Sequence, residues 1–390
     1  MNREAWIGEV LADLRAQHLE RRTRTWPESG GKIRMQDRTL LNFSSNDYLD
    51  LAHHPLVIEF AEKMLRRFGA GSAASRLVTG TLPAHEELEE RLAAFKGYPA
   101  ALVFGSGWLA NAAIVPALAG RGDTVFADKL SHASLLDAAI LSRARLVRFL
   151  HNDAAHLDEL LGKQGGAGRC LVVTESVFSM DGDLAPLPAI AEAAARHGAM
   201  LMVDEAHATG VFGPKGSGLI RHHQLEGSVN ASMGTLSKAF GGYGGFVACS
   251  PSLRELLVNR SRAFIYTTAP APAAVGAALG ALDVVERNPD LGPELLRRAA
   301  RFRERLNAAG LNTLKSASQI VPVMVGNNAK ALSFSQRLHE AGILALAIRP
   351  PTVPQGTARL RLSVTLAHTD EDLERAAGSI AAAAKAEGLV

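Results

Sequence analysis

The stretch Met200-Leu201-Met202-Val203-Asp204-Glu205-Ala206-His207-Ala208-Thr209-Gly210 is four apolar residues that run straight into an acid, with a histidine three places further on. A short apolar run of this kind reads as a buried strand. Ligands of open α/β sheets bind beyond the carboxyl ends of the strands, so Asp204 stands where a ligand would. Taken alone, Asp204 serves equally well as a helix cap and His207 as a core histidine. Working outward, similar runs recur at Ala101 to Phe104, Thr124 to Ala127, Leu146 to Phe149, Leu171 to Thr174 and Gly245 to Cys249. Amphipathic segments lie between them, for example His85 to Phe95, whose Leu88, Leu92 and Phe95 share one helical face. Strands alternating with helices predict an α/β fold with a mostly parallel sheet.

Three regions differ in texture. Residues 1–40 read as an N-terminal arm with a helix, marked by Ile7, Val10, Leu11 and Leu14 and followed by Arg21, Arg22 and Arg24. Residues 41–287 carry the strand-helix alternation and form the expected large domain. Residues 288–390 form a smaller α+β domain, with apolar runs at Ile320 to Val325 and Ile343 to Ile348, a strand-like Arg359 to Val364, and a last helix capped by Thr369 with Asp372 three residues on.

Composition removes several classes. With 390 residues and 47% hydrophobic content the chain can bury a large core. Its 42 Lys plus Arg against 39 Asp plus Glu leave a net charge of +3, with no extended basic surface, so nucleic acid is not an expected partner. The two cysteines, Cys170 and Cys249, sit in apolar runs as buried free thiols and allow neither a disulfide framework nor a zinc site. The uncharged stretch from Phe264 to Leu282 is too weakly hydrophobic to span a bilayer, and Glu4 and Glu9 stand where a signal peptide would be apolar. A cytoplasmic protein with no membrane partner and no metal is expected.

The chemistry turns on Gly234-Thr235-Leu236-Ser237-Lys238-Ala239-Phe240-Gly241-Gly242. Lys238 is the only charged residue from Ala231 through Leu253. A lysine isolated among small, neutral residues suits Schiff-base chemistry. Together with a strand-end aspartate it points to pyridoxal 5'-phosphate, which needs a lysine for its aldehyde and an acid to keep its pyridine nitrogen protonated. The phosphate then needs a cradle, and Gly105-Ser106-Gly107-Trp108 is a glycine turn that opens a helical pattern. Thr235 adds a hydroxyl donor, as does Thr267 or Thr268. His132, in Ser131-His132-Ala133-Ser134, follows a strand by a few residues and can lie over a cofactor bound at strand ends.

These residues resemble the α-oxoamine synthases of the fold-type I pyridoxal-phosphate enzymes. The matching blocks are Asn42 to Leu49, Ser131 to Ser134, Thr174 to Asp183, Val203 to His207 and Thr235 to Lys238, which together span essentially the whole chain. The resemblance implies a large domain with a mostly parallel, seven-stranded sheet, a smaller C-terminal domain and an N-terminal arm. It implies that Lys238 forms the Schiff base, Asp204 pairs with the pyridinium nitrogen, His207 hydrogen-bonds the ring hydroxyl and His132 stacks on the ring and touches substrate. It also puts the phosphate on Gly107, Trp108 and Thr235, Ser179 near the ring, and Thr267 or Thr268 in the partner subunit's site of a homodimer. Arg361 would hold the amino-acid carboxylate, with Asn46 also on the substrate side, and Arg21 and Thr352 would line the acyl-chain entrance. Within the family, the block from Arg349 to Leu362 and His151-Asn152-Asp153 look most like the branch that condenses L-alanine with a pimeloyl thioester, carried on coenzyme A or acyl carrier protein. Relatives using glycine with acetyl or succinyl thioesters are the alternative. A non-catalytic partner subunit is the reading from another class, against which Lys238 argues. A dehydrogenase reading, from Gly105, Gly107 and Ala110, leaves Lys238 unexplained.

Overall fold

The structure, a computed structural model, describes residues 3–35, 38–164 and 168–390; Met1, Asn2, Gln36 and Asp37 of the expected arm lie outside the described residues. In chain order the first strands are β1 (Lys32–Arg34), β2 (Thr39–Asn42), β3 (Ala100–Phe104), β4 (Thr124–Asp128), β5 (Arg145–Phe149), β6 (Cys170–Glu175) and β7 (Met200–Asp204). The rest are β8 (Ala231–Thr235), β9 (Gly245–Cys249), β10 (Ile320–Gly326), β11 (Ile343–Leu344), β12 (Ala347–Ile348) and β13 (Ala358–Ser363). By their contacts the residues form two compact units, one of Asp47–Ser179 with Asp183–Glu294, the other of Met1–Asn46, Met180–Gly182 and Leu295–Val390.

The first unit is built on a seven-stranded sheet in the order β3-β9-β8-β7-β6-β4-β5. Neighbours are parallel except at β9, which runs antiparallel to both β3 and β8. Six strands therefore point the same way and bring their carboxyl ends to one edge. Strands β4, β6, β7, β8 and β9 are buried almost throughout because helices cover the sheet, which is why they read as continuous apolar or small-residue runs rather than alternating ones. The helix Gly107–Leu118 contributes Ile114, Val115 and Leu118 to this core beside Val125, Leu171 and Val247. Burying side chains of that size contributes roughly 1.5–3 kcal/mol each. Cys249 is buried as expected, whereas Cys170, first residue of β6, is partly exposed.

In the second unit, β10, β13 and β12 form an antiparallel sheet, and β1, β2 and β11 form another in which β2 pairs with β11 in parallel. The segment expected to stand apart as an arm is thus joined to this unit from β1 onward, because its strands find partners there. The helix Ala5–Ala16 before it buries none of its residues. The run from Ile343 to Ile348 is split between two sheets, β11 pairing with β2 and β12 with β13. Helix Asp370–Ala386 has the expected capping box, with Thr369 Oγ1 accepting from Asp372 N and Asp372 accepting from Thr369 N, each at 3.1 Å.

Candidate active site

Asp128, Glu175, Asp204 and Thr235 are the last residues of β4, β6, β7 and β8, and β3 runs directly into Gly105-Ser106-Gly107. Parallel strands deliver all of these to the same edge of the sheet. A cavity of about 220 Å³ lies there, lined by Gly107, Trp108, His132, Asp204, His207, Thr235 and Lys238 among others. Seven of the expected site residues are therefore gathered in one place.

The helix Gly107–Leu118 starts at this cavity. The Ser106 hydroxyl accepts from Leu109 N at 3.2 Å, and the Ser106 carbonyl from Ala110 N at 3.0 Å. The N–H groups of Gly107 and Trp108 are then donors the helix itself cannot satisfy, and both residues line the cavity. A Cβ at Gly107 would stand 3.1 Å from Met233 Cε, so that the methionine tip would have to give by a few tenths of an ångström. The Thr235 hydroxyl donates to the Gly244 carbonyl at 2.9 Å and lies 2.8 Å from Ser237 Oγ.

Asp204 accepts from Ala206 N at 2.8 Å and from Asn111 Nδ2 at 3.0 Å. The same amide donates to Ser134 Oγ at 2.9 Å, and Ser134 Oγ lies 2.8 Å from His132 Nδ1. A polar chain thus links Asp204 to His132. Because His132 Nδ1 also accepts from Ser134 N, the proton of the neutral ring belongs on Nε2. Burial, reinforced by the charge of Lys238, pulls the His132 pKa below the ordinary histidine value against the opposing pull of Asp204, so the ring is neutral at neutral pH. Trp108 meets it edge to face, with centroids 6.2 Å apart.

Lys238 Nζ lies 2.7 Å from His207 Nε2, and His207 Nδ1 lies 2.7 Å from the Tyr48 hydroxyl. With Nζ as donor, Nε2 accepts and the imidazole proton is directed to Tyr48. Glu175 faces Asp204 across the β6–β7 pairing and accepts from His132 N at 2.6 Å. Complete burial, and then the Asp204 charge, push its carboxyl up to about 8.

Other expected residues lie elsewhere. Ser179 is buried on the loop after β6 and is not part of the cavity wall. Thr267 donates its hydroxyl to the Ala263 carbonyl at 2.5 Å, whereas Thr268 is exposed and bridges Ser75 through the backbone. In the second unit, Arg361 Nη1 donates to Asn46 Oδ1 at 3.0 Å and to Ser363 Oγ at 2.8 Å, so the two residues expected on the amino-acid side do meet. Arg21 donates to the Pro350 carbonyl at 3.1 Å, on the turn that leads to Thr352. Sequence reasoning missed Glu175, Asn111, Ser134 and Tyr48. Glu175 carried the same signal as Asp204, an acid closing an apolar run.

This donor set fits pyridoxal phosphate. Free helix N–H groups with a neighbouring hydroxyl suit a phosphate dianion. A buried carboxylate suits a protonated ring nitrogen, an amine suits an aldehyde, and Asn111 Oδ1 is a buried acceptor without a partner beside that carboxylate.

A seven-stranded sheet with one reversed strand, a lysine on the turn entering that strand and an aspartate ending a parallel one define the class. The family model described as aminotransferase class I and II matches residues 38–380, and the chain belongs to that family. Within it, the chain is 49% identical to the 8-amino-7-oxononanoate synthase of Geobacter sulfurreducens, over 98% of this chain and 99% of that protein. Among solved structures it is similar to the serine palmitoyltransferase of Sphingomonas wittichii, at TM-score 0.94 and 31% identity with both chains fully covered. It is also similar to the serine palmitoyltransferase from S. paucimobilis with bound PLP and myriocin, at TM-score 0.93 and 32% identity, over 99% of this chain and 98% of that one.

Proposed function

We propose that this chain is a pyridoxal-phosphate-dependent α-oxoamine synthase that condenses L-alanine with a pimeloyl thioester. It releases carbon dioxide and the carrier thiol and yields 8-amino-7-oxononanoate, a step of biotin biosynthesis. The carbon count closes, with three from alanine and seven from the acyl group giving a nine-carbon product and one carbon dioxide. The observation that carries the reading is the joint placement of Lys238, Asp204, His207 and His132 in one strand-end cavity. Identity of 49% across nearly the whole chain to a protein named for this activity supports the substrate choice over the palmitoyl-using relatives at 31–32%.

When bound, pyridoxal phosphate supplies an aldehyde that captures an amine and a ring that takes up the electron pair left by a breaking Cα bond. Gly107, Trp108 and Thr235 would hold its phosphate, Lys238 its aldehyde carbon and His207 its ring hydroxyl. Asp204 keeps the proton on the ring nitrogen. Lys238 Nζ would serve as the base that takes the alanine Cα proton. His132, neutral at working pH, would lie against the cofactor without adding a charge that would compete with that proton. Arg361, steadied by Asn46, fixes the alanine carboxylate through a planar, two-point contact. That fixing would set which Cα bond is presented for cleavage, so its loss should slow chemistry more than binding. Arg21 and Thr352 would line the path of the acyl chain.

In the proposed homodimer Thr267 or Thr268 reaches the partner's phosphate; of the two, Thr268 is the more exposed. The carrier is coenzyme A or acyl carrier protein, and the enzyme works in the cytoplasm. Mass spectrometry of products from alanine with each pimeloyl thioester tests the substrates. The nine-carbon amino-ketone is expected from at least one of them. Its absence with both, alongside product from glycine or serine with another acyl thioester, overturns the assignment.

A further inference from the structure

Outside the cavity wall, one imidazole stands between two carboxylates. His151, just past β5, has Nδ1 2.9 Å from Asp128 Oδ1 and Nε2 2.8 Å from Asp183 Oδ2. A neutral imidazole carries one N–H, and ionised carboxylates only accept, so both contacts together need the doubly protonated ring. Burial opposes that charge, but hydrogen bonds from the two aspartates outweigh it and hold the ring's pKa up at about 10. The carboxylates are themselves tied down. Asp128 accepts from Leu130 N at 2.8 Å and Asn152 N at 2.9 Å, and Asp183 accepts from Asn152 Nδ2 at 2.9 Å. The Phe178 ring meets His151 edge-on, with centroids 4.4 Å apart. The nearby charges on adjoining segments are engaged elsewhere: Asp153 accepts from His156 N, and Arg148 donates to the Lys129 carbonyl.

Each aspartate is the root of a loop. From Asp128, which is fully buried, the chain runs through Lys129, Leu130 and Ser131 to His132; Ser131 N donates to the Asp128 carbonyl at 3.1 Å. That loop ends where His132 N meets Glu175. On the other side, Phe178 N donates to the Asp183 carbonyl at 3.1 Å and closes the loop that carries Ser179. His151 touches neither the cavity nor His132 directly.

We propose that His151 is a positioning residue for the reaction: by joining Asp128 to Asp183 it fixes the loop that holds His132 in the cavity. The proposal rests on the reading of that cavity as the pyridoxal-phosphate site. Displacing His132 by a fraction of an ångström then costs rate, because catalysis depends on aligned groups far more steeply than binding does.

The test compares the wild-type holoenzyme with His151→Gln, which offers a donor to one carboxylate and a carbonyl oxygen to the other. Turnover is scored per bound cofactor, read from visible absorbance, so that loss of folded protein does not count. A kcat lower by on the order of 10–100-fold, with the KM for alanine within about threefold, is expected. Adding Asp183→Asn, whose amide can donate to the Gln carbonyl, should recover most of that loss. Nitrogen NMR of the cofactor-free protein should show both ring nitrogens of His151 protonated from about pH 6 to 9. An unchanged kcat per bound cofactor, or a neutral His151 ring near pH 7.5, overturns the proposal. Should His151→Gln fail to fold, Asp183→Ala, which removes one acceptor of the bridge, is the decisive variant, and an unchanged kcat in it likewise overturns the proposal. If the wild-type protein makes no amino-ketone, it is the functional reading that fails, and the NMR result still decides the state of the ring.

Discussion

Lys238 and His207 stand 2.7 Å apart in a cavity that also holds the carboxyl groups of Asp204 and Glu175, so the amine has a polar neighbour that can pass it a proton and take one back. Lys238→Ala is expected to abolish turnover and the visible absorbance of the lysine-bound cofactor together; a variant that keeps both would falsify the lysine's role. Glu175 makes a different prediction. Its carboxyl is held at about 8, so the folded protein keeps a proton there that the unfolded chain loses above the ordinary carboxylate value near 4.5. Between those two values the folded state binds more protons, and its stability must fall as pH rises. Glu175→Gln, close in shape to the protonated acid, should remove that slope from the cofactor-free protein. Chemical denaturation of both proteins at several pH values from 5 to 8 checks it, and parallel curves would show that Glu175 is ionised throughout.

At the next scale, a site is made by what elements allow to approach. A Cβ at Gly245, the first residue of β9, would stand 2.6 Å from Gly107 N, on backbone that cannot swing aside. Gly245→Ala should therefore push the start of the helix Gly107–Leu118 away from the cavity and cost about 1–3 kcal/mol of stability. Weaker cofactor binding with a lower melting temperature is the expected pair of results; cofactor affinity equal to wild type would mean that the helix end does not hold the phosphate. How much of this was legible in the sequence follows from the same logic. β7 and its Asp204 could be read because an apolar run meets an acid within five residues, and Lys238 because charge vanishes around it. β8, Ala-Ser-Met-Gly-Thr, carries no such signal, since small and polar residues are what a strand packed on both sides between β7 and β9 can accommodate. The Asn111–Asp204 and Tyr48–His207 contacts join residues 93 and 159 positions apart, and no local pattern announces them. Arg361 was read from a family block, yet its partner Ser363 lies two residues on, on the same face of β13, where strand alternation alone would place it.

Across the chain, long-range ties dominate. His368 is buried, stacked on Phe43 at 4.4 Å, with Nε2 3.1 Å from the Gly31 carbonyl and Nδ1 accepting from Thr365 N, so one histidine links the start of the chain to its end. Burial lowers its pKa to about 4. The unfolded chain takes up a proton near 6.5 that the folded chain refuses until about 4, so this unit keeps its full stability above 6.5 and loses it as pH falls toward 4. The loss amounts to roughly 3 kcal/mol. His368→Gln should flatten that acid slope in denaturation measurements, and an unaltered slope would assign it to other groups. The pairing of β3 with β9 has a bearing on biosynthesis. Phe104 sits beside Gly245, so the turn at Gly107 acquires its neighbours Thr235 and Gly245 only after about 140 further residues have been made. At ordinary rates of translation that is a wait of roughly seven to thirty seconds. Until it ends, the nascent chain owns a helix end, an aspartate and a histidine but no pocket, so the cofactor can join only a chain with at least 245 of its 390 residues made, and it serves as a late seal on the sheet rather than as a template for it.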